Sequence, residues 1–406
     1  MPAMLGEESL DLLGAAVAAV GARAISSRPV QVTWRPRHHL TVSYDVQVAW
    51  SKHQRTTERF VASTGRDLPE GAVILASGES RVAVWRMTGD PELPGLAVAM
   101  DPERLRELLD VLGAPGGAVS PRLLAYRPGR RAVVELTGKG MRLFIKVVPP
   151  REVPALQERH AIMAAALPVP MSHGWSSEYG LVVLRALSGN TLRTALQNKK
   201  DRLPDPAALS DLLGRMPEVP DGRSAASPVK AAVQHAELVG SILPELRERL
   251  DGLLDVVTAG GPSFPTVPVH GDFHEAQVLS KDGAITGLLD VDTAGSGQRI
   301  DDWANFLGHL AVYEQSAARG VRDRIARFAR RVHSHAETET EAPSELRRRV
   351  AAVIIGMATG PFRAQTQTWP LDTRNRIALA ERWALEAVDK NNLTRVLGSS
   401  HVGVPT

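Results

Sequence analysis

The residues with the most chemical content lie together in His270-Gly271-Asp272-Phe273-His274-Glu275-Ala276-Gln277. Thirteen residues after Gln277 comes Asp290, at the end of the apolar run ITGLLD. Moving a phosphoryl group needs two things from such a loop. One is a carboxylate that accepts or orients the proton of the attacking hydroxyl. The other is a set of hard oxygen ligands that hold Mg²⁺ on the phosphates. Asp272 suits the first task; the amide oxygen of Gln277 and the carboxylate of Asp290 suit the second. The five-residue step from Asp272 to Gln277 can place both side chains on one face of a tight loop. The segment VLSKDGAITGLL reads as a hairpin with its turn at Asp282-Gly283, and would bring Asp290 back beside them. His270 and His274 could ligate zinc if they stood on a helix. Gly271 between them and the lack of a third ligand set nearby argue against it, and His270 reads instead as a structural residue bonding within the loop.

Several elements must position this loop. LLAYRPGRRAVVELTGKGMRLFIKVV reads as strand, turn, strand, turn, strand. An amphipathic helix is predicted from about Val153 to Leu167. LPVPMSHGW and YGLVVLRAL supply two further strands. From Gly189 onward the pattern is mainly helical, interrupted by the loop MPEVPDGRSAASPVK and by the chemistry-bearing segment itself. The first 118 residues alternate like a small α+β unit, with a helix predicted at about 5–21, and GAPGGAVSP reads as a boundary. The organisation is therefore 1–118, 119–186 and 187–406. A faint echo links Trp34-Arg35-Pro36 to Tyr126-Arg127-Pro128, and Arg86 before PELPGL to Lys146 before REVPAL. It reads either as two unrelated hairpins or as a degenerate copy of the small β-rich lobe, stacked in front as a cap.

HGDFHEAQ and LLDVD resemble the signature of the aminoglycoside phosphotransferase and choline kinase superfamily: His-x-Asp, Asn five residues later, then an apolar strand ending in Asp. Gln277 replaces the usual Asn, as in the maltokinase-like branch, whose members also carry an additional N-terminal domain. The resemblance covers about residues 120–390. It implies an α+β, two-lobed protein-kinase-like fold with a small β-rich lobe, a large helical lobe and the N-terminal α+β cap. It implies ATP and Mg²⁺ as cofactors and a small-molecule hydroxyl as acceptor. Asp272 would be catalytic, with Gln277 and Asp290 on the metal. Lys146, on the third strand of the small lobe, would hold the α/β-phosphates, oriented by Glu158 or, less naturally, Glu152. The turn Tyr126–Arg131 would cover the nucleotide through Gly129 and Arg130, and Val183, Leu184 and Arg185 would form the hinge beside the adenine. His270 and Asp302 would support the catalytic loop, with Asp301 the alternative, as an N-cap. No Walker-type loop occurs in the chain.

Composition narrows the partners. A net charge of +3, with no long basic run, argues for neither nucleic acid nor membrane. The chain has no cysteine, which excludes disulfides and fits a reducing cytoplasm. The N-terminal apolar stretch follows Glu7, Glu8 and Asp11 rather than a basic start, the wrong order for a signal peptide. The five arginines of RDRIARFARRVHSH read as a solvated helix face. The distal helices are mixed to basic, and Trp303, Trp369 and Trp383 are candidates for stacking on sugars, so a neutral sugar-like acceptor is favoured over a polycationic antibiotic. Nothing fixes the acceptor, ATP against GTP, or the oligomeric state. The rival from another class is a catalytically inactive kinase-like binding module. Gln277 and the single glycine of the nucleotide turn favour it; the joint presence of Lys146, Asp272 and Asp290 opposes it.

Overall fold

The alternating apolar residues of the first 186 positions build two antiparallel five-stranded sheets. The computed structural model describes residues 2–388 except 7, 52, 66–67, 78–79, 115–118, 139 and 220–222. The first sheet contains β1 (Arg23–Arg35), β2 (His39–Ala49), β3 (Arg55–Ser63), β4 (Val73–Ser77) and β5 (Ser80–Arg86), in the order β1-β2-β3-β5-β4. The second contains β6 (Ser120–Arg127), β7 (Arg131–Gly138), β8 (Met141–Val147), β9 (Ser172–Ser176) and β10 (Leu181–Arg185), in the order β6-β7-β8-β10-β9. The two orders are the same. Helix α1 (Ser9–Ala18) precedes the first sheet and α2 (Pro102–Val111) follows it, while α3 (Val153–Ala166) connects β8 to β9. Asp101 starts α2 by accepting the backbone N–H of Glu103 and Arg104, with Pro102 at the first position, where no N–H is needed.

The echo in the sequence acquires a concrete form. Arg35 pairs with His39 and Arg127 with Arg131, so each sheet opens with a three-residue turn after an aromatic-Arg-Pro triplet. The residue after the proline is left-handed in both, Arg37 at φ 62° and Gly129 at φ 65°. The second half of the echo does not hold. Arg86 ends β5, the counterpart of β10, whereas Lys146 lies on the third strand, β8. Residues on both sides of the expected boundary fall in one unit, Met1–Ala161 with Pro170–Ala186 and Phe362–Gln367. Its core joins Val61, Trp85, Leu93 and Leu96 to Tyr126, Val134, Ile145 and Val183. Part of the boundary stretch, 115–118, lies outside the described residues.

The second unit comprises Ile162–Val169, Leu187–Pro361 and Thr368–Thr406. Its helices are α4 (Leu192–Gln197), α5 (Pro206–Gly214), α6 (Pro228–Ile242), α7 (Arg247–Thr258), α8 (Arg299–Ser316), α9 (Arg319–Thr340), α10 (Pro343–Ala358) and α11 (Trp369–Ala387). Between α7 and α8 run β12 (Thr266–Val269), β13 (Val278–Lys281), β14 (Ala284–Leu288) and β15 (Gly295–Gln298). β12 pairs with β15, and the β13–β14 hairpin is joined on its β13 edge by β11 (Asn190–Thr191). Lys281 pairs with Ala284, leaving Asp282 (φ 53°) and Gly283 (φ 87°) as a two-residue turn. Two consecutive positive φ values define the type I′ turn that the Asp-Gly pair predicts. Trp303, Phe306 and Phe328 are buried in the core of this unit. No helix among the described residues is long and apolar enough to cross a membrane.

Candidate active site

The loop from β12 to β13 carries the motif, and its backbone is fixed from three sides. Phe273 is fully buried and meets Trp303 edge-on at 6.4 Å and Phe306 at 5.1 Å, so the residue between Asp272 and His274 anchors the loop in the core. Asp302, wholly buried on α8, accepts the N–H of His270 and of Gly271, each at 2.9 Å. Burial pushes its carboxyl above the usual range, and His270 and the two backbone donors oppose that shift. Gly271 (φ 78°) cannot be replaced simply, because a Cβ there would meet the carbonyl oxygen of Thr293 at 2.6 Å.

The histidines are pinned by the same logic. His270 Nε2 lies 2.9 Å from the Leu289 carbonyl and must donate its proton there, while Nδ1 accepts the N–H of Asp272 at 3.3 Å. Both ring nitrogens of His270 are thus engaged by backbone groups of this region. His274 accepts the N–H of Ala276 on Nδ1 at 3.2 Å. Its pKa is lowered to about 2, first by burial and then by His309, Arg193 and His270, so the ring is neutral and its proton sits on Nε2.

Gln277 Nε2 donates to Asp290 Oδ2 at 3.5 Å and lies 3.3 Å from His274 Nε2. The side chains of Gln277 and Asp290 therefore meet at one point, where an amide oxygen and a carboxylate supply hard donors of the kind that Mg²⁺ takes. Asp290 itself is left-handed, at φ 55°, an uncommon and costly conformation for a residue with a side chain. It turns the carboxylate out of the end of β14. The Leu289 N–H bonds the Gln277 carbonyl at 2.8 Å, which ties the segments carrying Gln277 and Asp290 together.

Four further residues shape the site, Glu275 within the loop and Arg193, His309 and Tyr313 around it. Glu275 is fully buried and accepts from Arg193 Nη2 at 2.5 Å. Burial raises its pKa, and Arg193 opposes the rise. The Arg193 guanidinium also lies 4.7 Å over the ring of Tyr313. His309, on α8, stacks on His274 with centroids 4.1 Å apart and planes 8° from parallel. Its pKa is lowered to about 4 by burial, then by Arg193 and Arg376. Asp272, His274 and His309 each offer a ligand atom within 4.8 Å of the others. Parallel rings cannot both aim an in-plane lone pair at one ion, and Nε2 of His274 carries a proton, so this trio is not arranged for a metal. Glu275 was visible inside the motif, but nothing in the sequence ties Arg193, His309 or Tyr313 to it.

In the other unit, Lys146 is buried on β8, pairing with Val133 on β7 and Val182 on β10. Strand alternation sends Leu143, Ile145 and Val147 into the core shared with the first sheet, so Lys146 faces the other way, as do Val182 and Leu184. Val183 points into that core, so of the hinge candidates only Leu184 shares the Lys146 face, and Arg185 is exposed. Glu158 is exposed on α3 beside the buried Arg159 and His160, and Glu152 is exposed as well. Gly129 and Arg130 lie in the β6–β7 turn, where Arg130 N–H bonds the Arg127 carbonyl at 3.0 Å. With Pro128 at the second position and Gly129 left-handed at the third, this is a type II turn.

Two expectations are corrected. Asp301 is not an N-cap: Gln298 holds that position, and Asp301 bonds Arg349 at 2.7 Å. Trp303 cannot stack on a sugar, being fully buried with its indole N–H on Glu339. Trp369 and Trp383 pack against the same core.

The model of the phosphotransferase enzyme family matches residues 127–337, just over half of the chain. No curated protein matches. Solved structures that align with the chain include a ternary complex of a thermostable mutant of the aminoglycoside phosphotransferase APH(4)-Ia with ADP and hygromycin B. It is 15% identical, with 70% of this chain and 99% of that one covered and a TM-score of 0.48. Choline kinase from Cryptosporidium parvum Iowa II is 10% identical over 73% of this chain and 98% of its own, with a TM-score of 0.48. Macrolide 2'-phosphotransferase MphH from Brachybacterium faecium is 17% identical over 68% and 98%, with a TM-score of 0.42. The family match runs through Lys146, the HGDFHEAQ loop and Asp290, so this chain, α+β in fold, belongs to the phosphotransferase enzyme family and is a phosphotransferase.

Proposed function

We propose that the protein transfers the γ-phosphate of ATP to a hydroxyl of a small, uncharged or sugar-like molecule in a Mg²⁺-dependent reaction. The observation that carries this reading is the convergence of the motif side chains: Gln277 meets Asp290 at 3.5 Å and His274 at 3.3 Å, and His274 Nε2 lies 3.9 Å from Asp272 Oδ2. Bound there, Mg²⁺ would neutralise phosphate charge and orient the transferring group. Asp272 would take the hydroxyl proton as the new O–P bond forms, with ADP leaving. Lys146 would hold the α/β-phosphates, and Glu158 is the acid proposed to orient it. The Tyr126–Arg131 turn would cover the nucleotide through Gly129 and Arg130, and Val183 to Arg185 would line the adenine. The 1–118 segment would act as a cap without a catalytic side chain. A cysteine-free chain fits a cytoplasmic setting.

The mixed-to-basic composition of the distal helices favours an acceptor without positive charge. The test is ³¹P NMR of Mg-ATP with the enzyme and a panel of sugars, aminoglycosides and amino alcohols. A new phosphomonoester signal with a neutral polyol supports the reading; signal only with polycations overturns the acceptor class. The rival, an inactive binding module, requires Mg-ATP binding with no phosphoester from any acceptor.

A further inference from the structure

We propose that Asp90, contributed by the segment after β5, is a positioning residue that holds the β6–β7 turn in its nucleotide-ready shape before nucleotide arrives. The inference rests on the reading above that this turn covers the nucleotide. Asp90 is 2% exposed. Its Oδ2 accepts the Tyr126 hydroxyl at 2.7 Å and the Gly129 N–H at 2.8 Å. Its Oδ1 accepts the Glu92 N–H at 3.0 Å. Trp85 extends the chain by donating its indole N–H to the Tyr126 oxygen at 3.3 Å. A buried carboxylate held by three neutral donors is costly to keep unless it performs a task, and each donor lost would leave it further unsatisfied. Burial and the Asp90 carboxylate together push the Tyr126 phenol far above its ordinary pKa, so it stays a donor.

The task is legible in where the bonds go. Gly129 is the residue of the type II turn whose peptide would have to swing for the turn to change shape, and Asp90 holds that peptide's N–H. Nucleotide-covering loops in kinases use several glycines. This turn has one glycine and is braced from the N-terminal sheet, so its sparse glycine content follows from being pre-formed. The brace also fixes the backbone that carries the exposed Arg130.

Calorimetry of Mg-ATP binding to the full-length chain tests this with three variants. Asp90→Ala should raise Kd at least tenfold. Trp85→Phe, which weakens the same buried cluster without freeing Gly129, should lower Tm but leave Kd within about twofold. Equal changes in Kd for the two, or no change for Asp90→Ala, would reduce Asp90 to a fold-stabilising residue and overturn the proposal. Lys146→Ala separates the two levels. If it binds Mg-ATP like wild type, the site reading fails; if it loses binding while Asp90→Ala does not, only this inference fails. Should Asp90→Ala not fold, hydrogen exchange of wild type decides. The Gly129 amide should be protected without nucleotide, and exchange at the unprotected rate would overturn the proposal.

Discussion

In the proposed reaction Asp272, Gln277 and Asp290 would carry different parts of the chemistry, and single substitutions separate them. Asp272→Asn removes the proton acceptor and should lower turnover by about 10²–10⁴-fold while leaving Mg-ATP binding nearly intact. Near-normal turnover in that variant, followed by phosphoester formation, would remove Asp272 from the reaction. Gln277→Leu should raise the magnesium needed for half-maximal activity far more than Gln277→Asn, since Asn still offers an amide oxygen. Identical magnesium titrations for wild type and Gln277→Leu would show that the side chain only bonds the loop. The motif residues were legible in the sequence because carboxylate and amide spacing follows directly from chain geometry. The left-handed Asp290 and the proton on His274 were not, because both depend on neighbours brought in by folding.

Among the elements, α8 does the most to shape the site. It supplies Asp302 beneath the loop and His309 against His274. The pKa of His309 falls from 6.5 to about 4 on folding, so the unfolded chain binds more protons between these values. Stability therefore rises with pH across that window and is lost as pH falls from about 6.5 to 4. The loss approaches about 3 kcal/mol by the lower limit. His309→Phe keeps an aromatic ring on His274 and cannot titrate. Its Tm should depend less on pH between 6.5 and 4 than that of wild type, and parallel curves would show that His309 is free to protonate in the fold. In the sequence α8 was legible only as part of the mainly helical run after Gly189, and Asp302 only through the family resemblance. It misread Trp303 as a sugar platform because spacing alone does not tell a buried aromatic from an exposed one.

At the scale of the whole molecule, the paired sheets explain why the first 118 residues resisted a functional reading. Strand order cannot be read from alternation, so the identical order of the two sheets was hidden, and only the aromatic-Arg-Pro turns hinted at it. The shared core has a direct consequence. A chain beginning at residue 119 would expose Val134, Ile145 and Val183, which now pack with Val61, Leu93 and Leu96. Such a truncation should be insoluble or fail to melt cooperatively; a monomeric, cooperatively melting 119–406 would show that the N-terminal sheet is an independent attachment. The central claim is that the HGDFHEAQ loop and Asp290 hold Mg-ATP for phosphoryl transfer. Calorimetry of Mg-ATP against wild type and Asp290→Ala tests it most directly, because it needs no knowledge of the acceptor. Wild type should give a magnesium-dependent binding isotherm that Asp290→Ala abolishes; an unchanged Mg-ATP affinity in Asp290→Ala would remove Asp290 and the loop from nucleotide binding.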